Sequence, residues 1–418
     1  MFSSTWTLIA EAQEIRELDL GEAHRLVRLN YPLSDDRLLI EEITNLNLLL
    51  IQRNRLPVLT FSAEGKVQSD NVQIGGNDPN FPINVDVPLE SYKAYMGLNY
   101  NIYDGGLTSA QKKLERASES VNQEALEVNL RTLKDRINQL FFNVELARQQ
   151  RNILNISLKD IEANIKTAEA RVKNGVILLS ELNKLKVRQL ELLSEQDKLE
   201  GDITAFLSIL EKLIGSEIST EVLLKFPSVF TLPENVGISR PEQDLFEAQK
   251  EVLAAQKELT GVNKKPKLSL FGEGGLGYPN PLNFSDVERS FYGLVGVKLS
   301  WNFLDWGKGR KEKDKIDLQI KQTEVDKLTF EFDMRSREQE FIKRIEAVEK
   351  QIENGNQIVE LQSQILKQTN TQLKNGVINS SDYLEQVNAE LRAKQQLKLH
   401  EIQLEQLKVE YLTLFGNL

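Results

Sequence analysis

The first candidates for chemistry are carboxylates that follow two Asn-Gly pairs. Asp382 lies six residues after Gly376, and Glu181 lies six residues after Gly175. Glu385 follows Asp382 at a spacing of three, which places both side chains on one face of a helix. A carboxylate in the first turn of a helix is stabilised by the helix dipole. Helix capping is therefore one interpretation of these residues.

Other residue types needed for catalysis or metal binding are few and scattered. The chain has no cysteine and two histidines, His24 and His400. No nucleophile–base arrangement and no metal-ligand spacing stands out. The glycine-rich segment 272–277 follows a predicted strand without opening a helix, so it lacks the context of a phosphate-binding loop. The sequence predicts a protein without catalysis, cofactor or bound metal.

Charge and hydropathy exclude two further classes. The formal charge is −10, from 52 basic and 62 acidic residues, and no basic stripe carries interleaved aromatics, so a nucleic-acid partner is not expected. No apolar run approaches the roughly 18 residues of a transmembrane helix. The first residues lack the basic and apolar regions of a secretory signal, so the sequence predicts either a cytosolic protein or one whose signal has been removed. The absence of cysteine fits an oxidising compartment without proving one.

Each Asn-Gly pair interrupts a long amphipathic helical pattern. Asn and Gly adopt positive φ at low cost, so a helix can end at Gly175 and at Gly376 and the chain can reverse. Ser180-Glu181 and Ser381-Asp382 would then supply a hydroxyl cap and a carboxylate to the next helix. Apolar residues across 133–172 recur at three- and four-residue spacing, which is the pattern of a coiled-coil seam. The sequence predicts two helical hairpins with tips near 175 and 376.

The second half of the chain repeats the first. Asp-Gly-Gly at 104–106 recurs as Asp-Trp-Gly at 305–307, and Gly175 recurs as Gly376, both with a shift of 201. Pro57 recurs as Pro266 with a shift of 209, so the first strand–strand loop is the longer one. Constant shifts on both sides of one variable loop indicate a duplication. The predicted organisation is a first structural repeat at 1–215, a connector at 216–240 and a second repeat at 241–418.

Helix and strand segments follow the same plan in each repeat. Residues from about Ile9 to Arg55 are predicted helical, with a break at 31–33. Two alternating apolar–polar runs per repeat are typical of strands, at about 57–66, 92–103, 266–274 and 293–303. Strands of about 9–11 residues with one apolar face can span a membrane. Alternation alone favours a soluble sheet packed on helices, but long polar turns and flanking long helices favour spanning.

Four strands cannot close a barrel. An open sheet edge in lipid would leave backbone groups without hydrogen-bond partners. Spanning strands therefore require several copies of the chain, with eight strands from two copies or twelve from three. The long helices, polar outside a thin apolar stripe, would extend into water as a helical tube.

Several motifs occur in a fixed order around these strands and turns. They are Leu56-Pro57 before the first strand, Asn101–Gly106 and Asn302–Gly307 after the second strand of each pair, and the two Asn-Gly-Val turns. In this combination the chain, from about Tyr31 to Gly416, resembles the outer membrane efflux protein family, the TolC-like channel-tunnels. The resemblance implies a mainly α fold with a small transmembrane β part. It also implies a homotrimer with a 12-stranded barrel in the bacterial outer membrane and a long coiled-coil α-barrel in the periplasm.

The resemblance further implies a role and its partners. These channels export drugs, small molecules or proteins together with an inner-membrane transporter and a periplasmic adaptor, or membrane fusion protein. The helical tips meet the adaptor. By position the contact residues are Asn174, Gly175, Val176, Ile177, Asn375, Gly376, Val377 and Ile378. An ordinary helix-reversing turn is the alternative interpretation.

Acidic residues inside the tip line the tunnel entrance in this family. Asp382 and Glu385, with Glu181 as the first-half equivalent of Asp382, hold the matching positions. In a trimer they would form carboxylate rings that favour cations. Capping and ring formation are compatible. The aromatic and basic residues that tie the closed entrance in well-known members are replaced here by Leu373 and Ile378, so a closed state would depend on apolar packing or on a different bond.

Two carboxylates of the strands, Glu64 and Glu273, occupy matching positions on the face predicted to line the barrel lumen, as do Lys93 and Lys298. They could tune the charge of the lumen, and a solvated polar face is the simpler interpretation. The alternative function for the whole chain is a soluble coiled-coil scaffold or a periplasmic adaptor protein. That alternative explains the helical pattern but not the four strands in two matched pairs.

Overall fold

The chain is mainly helical, with a small sheet component. A computed structural model describes residues 15–70, 73–74, 85–86, 88–227, 237–283 and 286–417. The helices are α1 (Leu20–Asn30), α2 (Asp36–Arg53), α3 (Leu107–Lys173), α4 (Leu179–Ile214), α5 (Pro241–Val262), α6 (Lys308–Lys374) and α7 (Ser380–Phe415). The strands are β1 (Ile15–Asp19), β2 (Val58–Val67), β3 (Gln73–Ile74), β4 (Val85–Asp86), β5 (Glu90–Tyr103), β6 (Ile218–Lys225), β7 (Lys267–Tyr278) and β8 (Ser290–Ser300).

Helices of the two halves correspond in length. α3 and α6 each contain 67 residues, and α4 and α7 each contain 36. The chain also divides into two compact units that each take segments from both halves. Unit 1 contains 1–36, 125–243 and 327–418, and unit 2 contains 37–124 and 244–326. The division into repeats at 215 and 240 remains a prediction, since the compact units follow a different division.

Unit 2 contains a four-stranded antiparallel sheet with the order β2-β5-β7-β8. Each half contributes one hairpin, and β5 pairs with β7 to join the two hairpins in one sheet. The strands lie within a few residues of the predicted ranges. β8 is the least accurate, because it begins three residues before the predicted start at 293 and ends at Ser300. All four strands connect to helices at the same end of the sheet.

The register places like residues on like faces. Leu59 lies opposite Leu98 and Phe61 opposite Met96. Leu270 lies opposite Val297. The other face carries Thr60, Ser62, Glu64 and Lys66 of β2, and Lys93, Asn99 and Asn101 of β5. Because side chains alternate across a strand, one face of the sheet is continuously apolar and the other polar.

Unit 1 holds the long helical core. The seam residues Leu154, Leu158, Ile161 and Ile165 of α3 are buried, and they cluster with residues of α4 and α7. Predicted coiled-coil positions therefore do form a core. In the described part of the chain, no helix is both long and apolar enough to cross a bilayer.

One segment predicted as helix is a strand. β1, at Ile15–Asp19, pairs in parallel with β6, which lies inside the predicted connector. Leu18 of β1 is buried together with Val222 and Leu224 of β6. The prediction was wrong at 15–19 because so short a segment takes its conformation from a partner about 200 residues away rather than from its own pattern. The predicted helix before Ile15 lies outside the described residues, and the break at 31–33 is present as a 3₁₀ turn at Pro32–Asp35.

His24 joins three helices of unit 1 through buried polar bonds. Its Nε2 lies 2.8 Å from Asn138 Oδ1, and Asn138 Nδ2 donates to Thr413 Oγ1 at 2.9 Å. Burial lowers the pKa of His24, and the nearby Lys134 lowers it further, although the Asn138 bond and Asp135 act in the opposite direction. A neutral buried imidazole binds fewer protons than the unfolded chain does.

We predict that the protein loses stability as the pH falls through about 6.5, because the unfolded histidine then gains a proton that the folded one resists. The measurement is the thermal midpoint at pH 7.5 and 5.5 for the wild type and for His24→Gln, which keeps a polar group but does not titrate. An equal loss in both proteins would show that other groups cause the acid sensitivity.

Candidate functional site

Both Asn-Gly turns end their helices in the same way. Gly175 has φ 66° and Gly376 has φ 76°. The Gly175 amide donates to the Val172 carbonyl at 2.9 Å, and the Val176 amide donates to the Arg171 carbonyl at 2.8 Å. The second turn repeats these two bonds at 3.1 and 2.9 Å. This is the Schellman pattern, in which a left-handed glycine satisfies the last carbonyls of a helix.

The two turns lie side by side in unit 1. Arg171 Nη1 donates to the Leu373 carbonyl at 2.7 Å. Glu181 accepts from the backbone N–H of Ser380 at 2.7 Å, and Lys184 Nζ donates to Ser381 Oγ at 2.8 Å. These three contacts each join one hairpin to the other. They were not predicted, since they link residues about 200 positions apart and no local pattern marks them.

A buried polar pair lies beneath the turns. Asn164 Nδ2 donates to the Tyr383 hydroxyl at 2.7 Å, and Tyr383 is 1% exposed. Burial raises the pKa of Tyr383 to about 12, so the hydroxyl stays protonated at neutral pH. Sequence reasoning missed both residues. Leu373 and Ile378 pack against the same core. That a closed entrance depends on apolar packing or on a different bond stays a prediction.

The aliphatic residues of the turns divide between core and surface. Ile177 and Ile378 pack against the core of unit 1. Val176 is 61% exposed and Val377 71% exposed. Leu178 and Leu179, which directly follow the first turn, are also exposed. The exposed apolar surface of the tip thus consists of Val176, Leu178, Leu179 and Val377. The two leucines had not been singled out in the sequence.

The carboxylates near the tip take different structural roles. Asp382 forms a capping box with Asn379, whose side chain accepts from the amides of Ser381 and Asp382 at 2.8 and 3.1 Å. The predicted hydroxyl caps Ser180 and Ser381 were wrong. Leu178 occupies the cap position of α4 without a side-chain bond. Asn379 caps α7 because it directly precedes the first helical residue, whereas Ser381 already lies inside the helix. Asp382 and Glu385 are exposed, whereas Glu181 faces the second hairpin.

Glu181 is held in its charged form by its contacts. The hydrogen bond from Lys184 lowers its pKa most, burial opposes this, and the Ser380 amide lowers the pKa further. A carboxyl with a lowered folded-state pKa stabilises the fold above its unfolded pKa of about 4.5. That contribution is lost as the pH falls through the lower, folded-state value.

We predict that Glu181→Gln loosens the contact between the hairpins by roughly 1.5–3 kcal/mol at neutral pH, the range for a hydrogen bond to a charged group. Hydrogen exchange of the 378–383 amides reports this contact. In the wild type, the protection of these amides against exchange should fall when the pH is lowered below about 4.5. In the variant, their protection should change little over the same pH range. Glu169→Gln is the matched control, because Glu169 pairs only across the surface with Lys186.

Within the sheet, Glu64 and Lys93 are direct cross-strand neighbours. Lys93 Nζ lies 3.4 Å from a carboxylate oxygen of Glu64, and Lys66 approaches the other oxygen at 2.7 Å. Glu273 lies opposite Leu294 on the same face, and Lys298 lies opposite Ser269. The structure places the predicted lumen residues on the polar face of the sheet.

The sequence matches one known family. Residues 50–216 match the family model described as outer membrane efflux protein. Over this range the chain is similar to the outer membrane efflux protein family. A search of curated protein sequences finds no match.

Solved structures extend the comparison to the whole chain. The chain is similar to CusC, a protein whose structures concern folding and transmembrane channel formation. The TM-score is 0.68 and the identity 14%, and the match covers 96% of this chain and 92% of that chain. It is similar to the outer membrane protein VceC of Vibrio cholerae at TM-score 0.65 and 12% identity, with 95% and 96% covered. It is also similar to the open state of the MtrE outer membrane channel of Neisseria gonorrhoeae, at TM-score 0.64 and 15% identity. That match covers 95% of this chain and 89% of that chain.

These matches show the fold over nearly the full length of the chain. The mainly helical architecture with a small β part is that of the TolC-like channels. The matching family model and the matched structures are those of outer-membrane proteins.

Proposed function

We propose that the protein is the passive exit duct of a tripartite efflux or type I secretion system. In this proposal a homotrimer closes a 12-stranded barrel in the outer membrane. The helical hairpins extend into the periplasm and meet an adaptor, which couples the duct to an inner-membrane transporter. The energy for export then comes from the transporter.

The observation that carries the proposal is the four-stranded sheet of unit 2. Its apolar face runs through all four strands, and apart from Glu90 at the start of β5, the charged residues of the strands lie on the other face. Phe61, Val295 and Leu299 on the apolar face are strongly exposed in one chain. Lipid is the environment in which such exposure is favourable.

The two outer strands of this sheet explain why several copies are needed. Among the described strands, β2 pairs with β5 only and β8 with β7 only. A bilayer does not tolerate unpaired strand edges. Because all neighbours in the sheet are antiparallel, β8 of one copy can pair with β2 of the next and continue the alternation around a closed ring.

The duplication gives a register for that junction. The junction between β8 of one copy and β2 of the next corresponds to the β5–β7 pair, in which Gly97 lies opposite Glu273. The repeat matches Gly97 to Lys298 and Glu273 to Glu64. Lys298 of one copy should then lie opposite Glu64 of the next. The chain contains no cysteine, so introduced thiols are unambiguous.

The test combines Glu64→Cys with Lys298→Cys in the full chain in membranes. Oxidation should give a covalent three-copy ring on a denaturing gel without reductant. Glu64→Cys with Tyr292→Cys is the matched control, since Tyr292 is on the same face as Lys298 but six residues away from it. A two-copy ring would overturn the trimer, and a protein that stays monodisperse without detergent and gives no cross-link would favour the soluble scaffold.

We predict a cation preference for this duct in planar bilayers. Asp382 and Glu385 are exposed, and three copies of each would concentrate negative charge at the entrance. Asp382→Ala combined with Glu385→Ala should weaken the preference, measured as the reversal potential in a salt gradient. Unchanged selectivity would leave these carboxylates with the capping role alone.

Adaptor contact is proposed for the exposed tip surface. Val176 and Val377 are apolar and exposed beside the open backbone of the two glycine turns. A partner hairpin of similar shape could pack against them. Ile177 and Ile378 support the turns from below.

A further inference from the structure

The two repeats differ in charge where the strands of unit 2 meet the helices. Segments 264–266 and 305–315 of the second repeat contain seven basic and three acidic residues. The matching segments of the first repeat, 55–57 and 104–114, contain three basic residues and one acidic residue. The net charges are therefore +4 and +2 in a chain whose total is −10. The second repeat concentrates positive charge at this level.

The same place is rich in exposed aromatic residues. Trp301 is 58% exposed, Phe303 77% and Trp306 89%. The corresponding positions of the first repeat hold Tyr100, Ile102 and Gly105. Large exposed aromatics beside a lipid-facing strand are typical of a membrane–water boundary.

The aromatic and basic groups are in contact. The Trp301 indole donates to the Lys264 carbonyl at 3.0 Å, and its ring centroid lies 6.0 Å from that of Phe303. Lys264 Nζ lies 3.2 Å from an Asp305 carboxylate oxygen. We call the surface formed by residues 264–266 and 301–315 the basic aromatic collar.

Among the described residues, the cations at the start of α6 have only weak carboxylate partners. Lys308, Arg310 and Lys311 occupy the first turn of α6, where the helix dipole disfavours positive charge. Lys308 and Lys311 have side chains 79% and 82% exposed, and their carboxylate partners lie 3.9 and 3.4 Å away. Such exposed pairs contribute little to stability. An external anion would explain their presence.

We propose that the collar binds the headgroups of anionic phospholipids in the periplasmic leaflet of the outer membrane. This inference rests on the proposed function, because that function places the sheet in the bilayer with the helical end in the periplasm. The indole and phenyl rings would lie at the level of the headgroups and upper acyl chains. The ammonium and guanidinium groups would then reach the phosphates, as long basic side chains do at interfaces.

The charge balance of the protein supports this occupant. A chain with net charge −10 repels an anionic membrane surface unless positive charge is placed locally. The collar supplies that charge at the level where the headgroups of the periplasmic leaflet would meet the protein. Three copies in a trimer would give three such patches around the barrel.

The test uses tryptophan fluorescence in reconstituted bilayers. The chain has three tryptophans, and two of them, Trp301 and Trp306, belong to the collar, so Trp6→Phe leaves only collar fluorescence. Phosphatidylglycerol brominated near the headgroup end of its chains should quench more strongly than the matching phosphatidylcholine. We expect at least about a fivefold preference, the effect of roughly one basic residue at an anionic surface.

The collar variant combines Lys265→Gln, Lys308→Gln and Lys311→Gln. It should bring the ratio of quenching by phosphatidylglycerol to quenching by phosphatidylcholine close to one. The control combines Arg55→Gln, Lys112→Gln and Lys113→Gln in the first repeat and should keep it. Raising the salt to about 1 M should also abolish the preference, because the screening length falls to about 3 Å.

The outcomes separate the two proposals. Equal quenching by both lipids, or the same loss in the control variant, would overturn the collar while leaving the membrane-spanning sheet intact. Absence of quenching by either lipid would show that the sheet does not lie in the bilayer, and the proposed function would fail with it.

Discussion

Leu98→Arg is expected to prevent stable insertion of the sheet into the outer membrane. Leu98 lies in the middle of β5 on the apolar face, between Leu59 of β2 and Gly272 of β7. An arginine on the lipid face near the bilayer centre costs about 2–4 kcal/mol. Three copies in a trimer multiply that cost, so the assembled channel should nearly disappear from outer-membrane fractions.

The neighbouring residue provides the control. Asn99 follows Leu98 on the polar face and lies opposite Val58 and Phe271. Asn99→Arg introduces the same charge at almost the same depth but into the water-facing side of the sheet. It should assemble normally and alter conductance. Equal loss of both variants would show that the face assignment, and with it the barrel, is incorrect.

Tyr383→Ala is expected to loosen the tips of the hairpins. Tyr383 is the largest fully buried side chain near the turns, and its hydroxyl is the partner of Asn164. Its removal leaves a cavity at a cost of about 3–5 kcal/mol. It also removes one of the two hydrogen bonds of the Asn164 amide, which keeps its bond to the Asp160 carbonyl. Hydrogen exchange of the 160–172 amides should lose most of its protection. The ion current through the duct should rise if the tips close the entrance.

Tyr383→Phe separates packing from hydrogen bonding. It keeps the ring and removes the bond to Asn164, so the free energy of unfolding should fall by about 1 kcal/mol. A double variant that adds Asn164→Leu should recover part of that loss, because it removes the N–H group that had lost its partner Tyr383. If Tyr383→Ala leaves exchange at 160–172 unchanged, the buried pair does not hold the hairpins together.

Features that depend on residues close together in the chain were predicted from the sequence. The left-handed glycines at 175 and 376, the alternation of the strands and the α3 seam all follow from residue types a few positions apart. Such features depend on backbone preference and on the burial of one face, which short segments express by themselves. The resemblance to the outer membrane efflux proteins followed from the order of those features.

Errors occurred where a distant partner decides the conformation. β1 was predicted as helix because its pairing with β6 leaves no signature in a five-residue segment. The cap of α7 was assigned to Ser381 rather than Asn379, since adjacent polar residues compete and only the backbone geometry selects one. The exposed leucines 178 and 179 at the tip were overlooked because an apolar residue near a turn gives no indication of which side it faces.

The sequence by itself determined that this chain is a duplicated unit of strands and helical hairpins, because repeats and periodicity are written in the order of residues. Only the tertiary structure decided that β5 and β7 join the two repeats into one sheet, and that Arg171, Glu181 and Tyr383 tie the hairpins together. These contacts join positions between 165 and 219 residues apart. Their formation depends on how the whole chain packs, which no local pattern specifies.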